Sequence, residues 1–437
     1  MKIHTVSGYE SVDANMTAVE VDGEVVICDV GADVERVVEA DAPFETLSTE
    51  TAIASGLVPD DGDLFARRED VVAIVVGHAH LDHCLGVAKL AGAYDCPIYA
   101  TPYTARVLDR LIEEDVEAAH NDVRELELGG RTRLSPNVDL EFVNVTHSIP
   151  GAALTVLHTP DGAVAYSLDF KLDPAPTLGR PTDESRLREI AAEGITAYVA
   201  DCTRVDEPGR TGSEREAATQ LRNVLDTAYR ENRAVVLSTF SSHIARLANV
   251  LDANDGRRRV AFLGWSLRQY TDPARDLGLV DLSNVEVHGE KGDVAARLRE
   301  ADPAEWLFVV TGHQGEPNAV LTELADRTLP LALDERDRVI LASSTIPTPI
   351  NRASRDALER ALRDRGVRVD GGVHVHGHAL RQDHRDMLAL LDATHVLPAH
   401  AGAEKQGTLA TLAREQGYVV GETVHPSQNG RVVDLDS

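Results

Sequence analysis

The chain has 437 residues, of which 43% are hydrophobic, enough to form the cores of two or three domains. Its net charge is −29, yet the hydrophobic content and the regular periodicity exclude a disordered acidic chain. No apolar run approaches the length of a membrane span, and the N-terminus lacks the apolar segment of a secretory signal. The four cysteines form no CxxC pair and suggest no disulfide framework, so we expect a cytoplasmic location.

The basic residues are almost all arginine. Only five are lysine, at positions 2, 89, 171, 291 and 405. Together with the acidic excess, this predicts a surface adapted to concentrated salt and a halophilic source, because molar salt screens self-repulsion beyond about 3 Å. The alternative is an ordinary acidic protein from a GC-rich genome, which would also favour arginine over lysine.

The first half of the chain is predicted to consist mainly of short strands. Asp22-Gly23 is a hairpin signal, and Pro102 begins a helix that runs to about Glu117. Residues 33 to 70 are acidic and irregular, and we interpret them as surface decoration. Strands are predicted at Ala18–Val21, Glu24–Cys28, Val71–Val76, Leu140–Val145, Ala153–Leu157 and Val164–Leu168.

From about residue 206 the pattern changes to alternating strands and helices, which predicts a small parallel sheet covered on both faces. The simplest account is a metal-binding α/β domain of residues 1–205 and 366–437, interrupted by a second α/β domain of residues 206–365. The predicted elements of the inserted domain are strands at Ala234–Ser238, Arg259–Leu263, Trp306–Val310 and Val339–Ala342, and helices at Ile244–Leu251 and about Arg352–Arg365.

Side chains suited to binding metal follow several of the predicted strands. Imidazole nitrogens and carboxylate oxygens are zinc ligands, and strand ends present side chains from a rigid scaffold. The candidates are His78, His80, Asp82, His83, His147, Asp169 and His400. Seven ligands suit two zinc ions. We assign His78, His80 and His147 to one ion and Asp82, His83 and His400 to the other, with Asp169 bridging them.

Such an arrangement suits the hydrolysis of phosphodiesters. Two metal ions about 3.5–4 Å apart can activate a water molecule near neutral pH and offset the charge of the substrate. A histidine that is not a ligand could supply the proton for the leaving 3′ oxygen.

These residues resemble the metallo-β-lactamase superfamily, with strand-terminal Asp29 as a further match. Ala200-Asp201-Cys202-Thr203-Arg204 and Ser213-Glu214 resemble the acidic motif of its β-CASP nucleases. Thr311–Pro317, His374–Ala379 and Leu397–Ala401 resemble ribonuclease J, in its shorter archaeal form. The resemblance implies an α/β fold, a metallo-β-lactamase αββα sandwich with an inserted Rossmann-like β-CASP domain.

The resemblance also implies roles for further residues. Asp201 would orient His378, and His378 would act as general acid or phosphate contact, so that Asp82, Asp201 and His378 form the catalytic set. Ser241 and Ser242 would contact the phosphate at a helix N-terminus, where free backbone N–H groups bind anions. The alternative roles are a helix cap for Ser241 or Ser242 and a structural turn for Gly377. The implied pocket for a terminal phosphate comprises Ser241, Ser242, His243, His374, Val375, His376, Gly377 and His378.

Three residues depart from the family pattern. His376 and His313 stand where serine is usual, and Trp265 stands where arginine is common. Trp265 either stacks on a base or packs in the core.

The function implied is that of a zinc-dependent 5′-to-3′ exoribonuclease acting on single-stranded RNA with a 5′ monophosphate. Two zinc ions per chain and a homodimer are expected, although manganese also suits such ligands. The alternatives are an endoribonuclease of the same family, a thioester or lactone hydrolase, and an RNA-binding subunit without activity. Because molar salt weakens ionic binding, affinity for RNA should come from the metals, local arginines, hydrogen bonds and stacking.

Overall fold

The computed structural model describes residues 1–231, 233–346 and 348–436. These residues form two compact units. Unit 1 comprises Met1–Pro174, Gly179–Thr211 and Gly377–Ser437, and unit 2 comprises Ala175–Leu178 and Gly212–His376.

The strands are, in chain order, β1 (Lys2–Ser7), β2 (Met16–Val21), β3 (Glu24–Cys28), β4 (Val71–Val76), β5 (Ile98–Ala100), β6 (Val123–Glu125), β7 (Arg131–Arg133), β8 (Asp139–Asn144), β9 (Ala153–Thr159), β10 (Gly162–Ser167), β11 (Ile195–Asp201), β12 (Val235–Ser238), β13 (Arg259–Leu263), β14 (Val285–His288), β15 (Trp306–Val310), β16 (Arg338–Leu341), β17 (Arg368–Asp370), β18 (His395–Ala399) and β19 (Arg431–Asp434).

The α-helices are α1 (Val34–Glu39), α2 (Thr49–Ala54), α3 (Gly62–Phe65), α4 (Leu81–Cys84), α5 (Val87–Leu90), α6 (Pro102–Glu114), α7 (Glu184–Glu193), α8 (Glu214–Glu231), α9 (Ile244–Asn254), α10 (Trp265–Asp276), α11 (Lys291–Glu300), α12 (Val320–Asp326), α13 (Pro349–Arg363), α14 (Arg381–Leu391) and α15 (Ala403–Arg414). Short 3-10 turns lie at Phe44–Thr46, Arg68–Asp70 and Ala91–Ala93.

Unit 1 contains two sheets that share a buried core. The first sheet has the order β19-β1-β2-β3-β4-β5-β6 and the second the order β18-β11-β10-β9-β8-β7. Val26 and Val75 of the first sheet belong to one hydrophobic cluster with Phe142, Val164 and Val199 of the second. Alternate side chains of these strands thus meet between the two sheets, which form a sandwich, while most of the side chains between them are buried on the opposite faces.

Helices cover the outer faces of this sandwich. Leu187 of α7, Met387 of α14 and Leu409 of α15 are buried in a cluster with Val156 and Ala165 of the second sheet. On the first sheet, α6 contacts β5 and β6. Unit 1 is therefore an αββα arrangement.

A partly buried ion-pair network joins the second sheet to α7. Glu141 of β8 lies 2.6 Å from Arg186 and 2.8 Å from His158, with both partners donating to its carboxylate. Burial opposes ionisation, but these two donors outweigh it and lower the pKa of Glu141 to about 2.

Unit 2 is a six-stranded sheet of order β14-β13-β15-β12-β16-β17, in which all paired strands are parallel. Crossovers between parallel strands are right-handed. A helix that leads to a strand on one side in the sheet order therefore packs on the opposite face from a helix that leads to a strand on the other side. In agreement, Leu298 of α11, Leu321 of α12 and Leu358 of α13 share one buried cluster with Val236 and Phe308. All strand carboxyl ends lie at one edge, where the loops carry those predicted phosphate-binding residues that belong to unit 2.

The interpretation of residues 33 to 70 as irregular was wrong. The segment contains α1, α2, α3 and two 3-10 turns, and it buries Phe44, Ala52 and Leu64. Lys89 attaches this segment to the rest of unit 1. Its ammonium group donates to the carbonyl of Leu47 in the segment and lies 2.7 Å from Asp115 in a buried ion pair. Among the described residues, every helix is too short or too polar to cross a bilayer.

Candidate metal centre

The histidine-rich segment directly follows β4, a strand buried over most of its length. His78 and His80 lie in the loop, and the single turn of α4 then presents Asp82 and His83. The carbonyl of His80 accepts the amide of Cys84 at 3.0 Å, which closes this turn. Four candidate ligands are thus fixed within six residues by one strand end and one helical turn.

Three further candidates follow strands of the second sheet. His147, Asp169 and His400 come shortly after β8, β10 and β18. These strands run in the same direction, because β8 and β10 are both antiparallel to β9, and β10, β11 and β18 are parallel. Their carboxyl ends therefore lie at the same edge of the sheet, which brings together residues more than 250 positions apart.

The structure brings the first predicted ligand set together around one oxygen of Asp169. The Oδ2 atom lies 3.2 Å from His78 Nε2, 3.5 Å from His80 Nδ1 and 3.1 Å from His147 Nε2. His80 Nδ1 is also 3.2 Å from His78 Nε2 and 3.0 Å from His147 Nε2. An ion about 2.0–2.1 Å from four tetrahedral ligands would separate those ligands by about 3.3–3.4 Å, so the set fits zinc.

The other oxygen of Asp169 faces the second predicted set. Its Oδ1 atom lies 3.0 Å from His400 Nε2 and 3.5 Å from His83 Nε2, and Asp82 Oδ2 is 3.3 Å from the same His83 nitrogen. This Oδ1 atom is buried and has no hydrogen-bond partner within the described part of the chain. One carboxylate thus borders two sets of ligand atoms, the geometry expected of a bridging ligand.

Burial and neighbouring charges set the ionisation of these groups. Burial lowers the pKa of His147 to about 4, against the opposing charge of Asp169, so the imidazole is neutral and offers a lone pair. Burial raises the pKa of Asp169 itself, but His378, His83, His400 and His147 outweigh it and hold the carboxyl well below its usual range.

Hydrogen bonds from outside the two sets fix the orientation of three histidines. His83 Nδ1 lies 2.7 Å from Asp29 Oδ2, His400 Nδ1 lies 3.0 Å from Asn15 Oδ1, and His147 Nδ1 lies 2.8 Å from the carbonyl of Gly377. Each contact engages Nδ1 and leaves Nε2 directed into the cluster, as is usual for histidines that bind metal.

Asp29 and Gly377 hold these positions for identifiable reasons. Asp29 also accepts hydrogen bonds from the hydroxyl of Tyr166 at 2.9 Å and the amide of Gly77 at 3.1 Å, so its carboxylate is fixed from three sides. A Cβ at Gly377 would lie 2.8 Å from Cε1 of His147. Only glycine lets this backbone approach the imidazole without displacing it.

His378 and Asp201 lie beside the two sets. His378 Nδ1 is 3.5 Å from Asp201 Oδ2 and 3.7 Å from Asp169 Oδ1. Burial disfavours protonation, but the two carboxylates outweigh it and raise the pKa of His378 to about 9. Asp201, fully buried at the end of β11, accepts the amide of Thr203 at 2.7 Å. His378, Asp169 and His400 also form a third group with metal-binding geometry.

The residues predicted to bind a terminal phosphate divide between the units: Gly377 and His378 belong to unit 1, and the others to unit 2. In unit 2, Ser241 Oγ is 2.8 Å from Ser266 Oγ. His374 Nε2 is 3.3 Å from His376 Nδ1, and Val375 is buried.

His243 is the N-cap of α9, a position that we had considered for the two serines. Its Nδ1 accepts the amide of Arg246 at 3.1 Å, and its Nε2 lies 3.4 Å from Glu214. Arg246 is fully buried, binds both carboxylate oxygens of Glu214 at 2.6 and 2.9 Å, and donates to the carbonyl of Val373 at 3.0 Å. This network joins the starts of α8 and α9 to the segment that precedes His374.

Sequence reasoning missed Asn15, Tyr166 and Ser148. The Ser148 hydroxyl lies 3.4 Å from both His80 Nε2 and His147 Nε2. Nothing in the local sequence singles out Asn15, because its partner His400 is 385 positions away. Ser148 carried the one usable signal, since it directly follows a predicted ligand.

Comparisons with known proteins identify both units. The sequence model "Beta-lactamase superfamily domain" matches residues 60–185, and "Ribonuclease J, beta-CASP domain" matches residues 231–356. Together with the observed α/β architecture, these matches confirm the predicted fold class, a metallo-β-lactamase domain with an inserted β-CASP domain.

Similar proteins cover the entire chain. It is 41% identical to ribonuclease J of Pyrococcus abyssi, over 100% of this chain and 97% of that protein. It is 36% identical to ribonuclease J of Methanocaldococcus jannaschii, over 100% and 99%. A crystal structure of a protein of unknown function from Enterococcus faecalis V583 matches with a TM-score of 0.65 at 16% identity over 99% of both chains, which supports the fold alone. The chain therefore belongs to the ribonuclease J family, as its motifs predicted.

Proposed function

We propose that this chain is a metal-dependent ribonuclease that degrades single-stranded RNA from a 5′-monophosphorylated end towards the 3′ end. The observation that carries the proposal is the carboxylate of Asp169, whose two oxygens face two separate sets of histidine and aspartate ligands. Family membership supports RNA as the substrate, and the ligand geometry supports two metal ions.

Zinc is our choice for both ions. His78, His80, His147 and Asp169 would hold one ion, and Asp82, His83, His400 and Asp169 the other. Five imidazoles with two carboxylates match the nitrogen-rich ligand sets of zinc. Two such ions supply positive charge to a phosphodiester and acidity to a water molecule.

The proton for the leaving 3′ oxygen is assigned to His378. Asp201 lies 3.5 Å from its Nδ1 and would orient the imidazole, while Thr203 holds Asp201 in turn. The backbone is fixed as well, since the carbonyl of His378 accepts the Thr211 hydroxyl at 2.7 Å. A histidine held in this way beside Asp169 can deliver a proton where the bond breaks.

The terminal phosphate is assigned to the unit 2 loops that contain Ser241, Ser242 and His374–His376. Both serine side chains are partly exposed at the start of α9, where backbone N–H groups favour an anion. His243 has both ring nitrogens engaged, so we assign to it the positioning of α9 rather than a phosphate contact.

Three expectations from the sequence extend this proposal. The proposed metal ligands belong to unit 1, so we assign hydrolysis to the domain of residues 1–205 and 366–437, and recognition of the RNA end to residues 206–365 together with His374–His376. The four cysteines are free and buried, which supports a reducing, cytoplasmic location. The homodimer stays a prediction that light scattering would test.

The test is product analysis with three RNAs that differ only at the 5′ end. The zinc-loaded protein should release mononucleotides from 5′-monophosphate RNA, and release them far more slowly from 5′-triphosphate and 5′-hydroxyl RNA. Internal fragments from all three would instead indicate an endoribonuclease. Intact RNA together with hydrolysis of a thioester or lactone would overturn the proposal. His378→Ala is the matched variant, expected to lose activity about 10²–10⁴-fold while keeping its metal.

A further inference from the structure

Trp265 is an exposed aromatic side chain at the carboxyl edge of the unit 2 sheet. The sequence has two tryptophans, of which Trp306 is 2% exposed and Trp265 is 47% exposed. Trp265 is the first residue of α10, directly after β13. Ligands of parallel α/β sheets bind at the carboxyl ends of the strands, so an indole left in water at this edge is placed to contact one.

A cavity of about 380 Å³ lies beside this tryptophan. Its walls are formed by α10, the end of β14 and the start of α11, and they carry charges of both signs: Arg268, Asp272, Arg275, Val287, His288, Gly289 and Asp293. A Cβ on Gly289 would lie 2.9 Å from Cδ of Arg268 and 3.7 Å from Cα of Trp265, so this wall of the cavity lies next to the backbone of the tryptophan. The volume falls within the range of small-ligand sites and accommodates one nucleotide.

The two arginines of the cavity are oriented and remain accessible. Asp272, between them on α10, lies 2.6 Å from Arg275 NH2 and 3.5 Å from Arg268 Nε. The Asp272 side chain is 12% exposed, whereas those of Arg268 and Arg275 are 46% and 47% exposed. Each guanidinium group also has a longer contact with an exposed carboxylate, Arg268 with Glu290 at 3.7 Å and Arg275 with Asp276 at 3.8 Å. Such exposed contacts contribute little, so a phosphate oxygen can replace them, while the largely buried Asp272 keeps both guanidinium groups in place.

The same surface adjoins a residue that we assign to the RNA end. Ser266, next to Trp265, has its hydroxyl 2.8 Å from that of Ser241. An indole for stacking and two guanidinium groups for the backbone are the elements with which proteins bind single-stranded nucleic acid without reading its sequence. In a chain of net charge −29, such a local arrangement also provides binding that does not depend on a generally basic surface.

We propose that Trp265, Arg268 and Arg275 form a subsite for single-stranded RNA, in which a base stacks on the indole and the cavity receives the adjoining nucleotide. The choice of RNA as the ligand rests on the proposed ribonuclease function. The site itself rests on the cavity, the exposed indole and the two oriented arginines.

Tryptophan fluorescence tests this subsite independently of hydrolysis. The full chain is titrated with a ten-nucleotide oligouridylate carrying a 5′ hydroxyl, in the presence of a chelator. We expect quenching of the exposed tryptophan in the unmodified chain and its loss in Trp265→Phe, in which buried Trp306 still reports a folded protein. Trp265→Ala should weaken binding, measured by anisotropy of a labelled RNA, about five-fold or more.

Arg268→Ala and Arg360→Ala form the matched pair for the charge contribution, since each removes one guanidinium group from an exposed position of unit 2. Only Arg268→Ala should weaken binding. The subsite would be overturned if both arginine variants weakened binding equally, or if Trp265→Phe were quenched as strongly as the unmodified chain. Quenching by a blunt RNA duplex as strong as that by the single strand would also overturn it. Failure of the proposed function would instead appear as intact 5′-monophosphate RNA in the zinc-loaded assay, whatever the fluorescence shows.

Discussion

Asp29→Asn is expected to weaken one of the two proposed metal sites and spare the other. The wild-type carboxylate accepts three hydrogen bonds, from His83 Nδ1 at 2.7 Å, Tyr166 Oη at 2.9 Å and Gly77 N at 3.1 Å. The side-chain amide of asparagine keeps one acceptor oxygen and has an NH2 donor in place of the other oxygen. If the NH2 group faces His83, Nδ1 must become the acceptor, and the proton then moves to Nε2, the atom that faces the second ligand set.

The alternative amide orientation is also costly. With the NH2 group towards Gly77, this donor faces the backbone N–H of Gly77 at a buried position, and the unsatisfied donors cost about 1–3 kcal/mol. At about 1.4 kcal/mol per factor of ten, this corresponds to roughly a 5- to 150-fold weaker site. The value agrees with the 10–100-fold losses typical of residues that orient metal ligands.

The assay is metal content at equilibrium with a graded chelator, measured by mass spectrometry of the dialysed protein. The variant should lose the ion assigned to Asp82, His83 and His400 at a lower chelator concentration than the wild type, and keep the ion assigned to His78, His80 and His147. Tyr166→Phe is the matched control, because it removes one donor to Asp29 and leaves the contact with His83. Unchanged metal content in Asp29→Asn, or equal loss of both ions, would refute the tautomer argument.

Three further outcomes follow from single contacts. Glu214→Gln should lower the free energy of unfolding by about 3–5 kcal/mol in urea titrations, because it leaves the fully buried guanidinium of Arg246 without its counter-charge; a loss below 1 kcal/mol would contradict this. Gly377→Ala should displace His147 and reduce zinc affinity without comparable loss of stability, as judged by chelator competition and thermal unfolding. For Glu141, the pKa of about 2 in the folded state lies below the unfolded value of about 4.3, so its contribution to stability is complete above pH 4.3 and is lost as the pH falls towards 2. The difference in free energy of unfolding between wild type and Glu141→Gln should therefore shrink as the pH falls through that interval. A difference that stays constant would argue against the ion pair.

The sequence predicted the strands that bear ligands because each is a compact apolar run followed by a polar loop. The observed bounds of β3, β4, β13 and β15 coincide with the predicted ones. The segment of residues 33 to 70 was misjudged because its helices have only four to six residues and bury at most one side chain each. Such short helices show no 3.6-residue periodicity, and their position depends on tertiary contacts such as the ion pair of Lys89.

The candidate site shows the same division between local and distant information. The residue types and spacing from His78 to His83 are typical of a metal site, so this loop could be interpreted as one without a structure. The contact of Asn15 with His400 and the close approach of Gly377 to His147 depend on distances across the fold. For Trp265, stacking and core packing were equal alternatives in the sequence, and its exposure of 47% excludes core packing.

We propose that the Asp169 carboxylate would be shared by two metal ions. The most direct measurement is the number of zinc ions per chain, by plasma mass spectrometry after dialysis, in the wild type and in Asp169→Asn. We expect two ions per wild-type chain and fewer than two in the variant, with RNA hydrolysis lost in parallel. A wild-type chain that retains fewer than two ions at full activity, or a variant that keeps both, would contradict it.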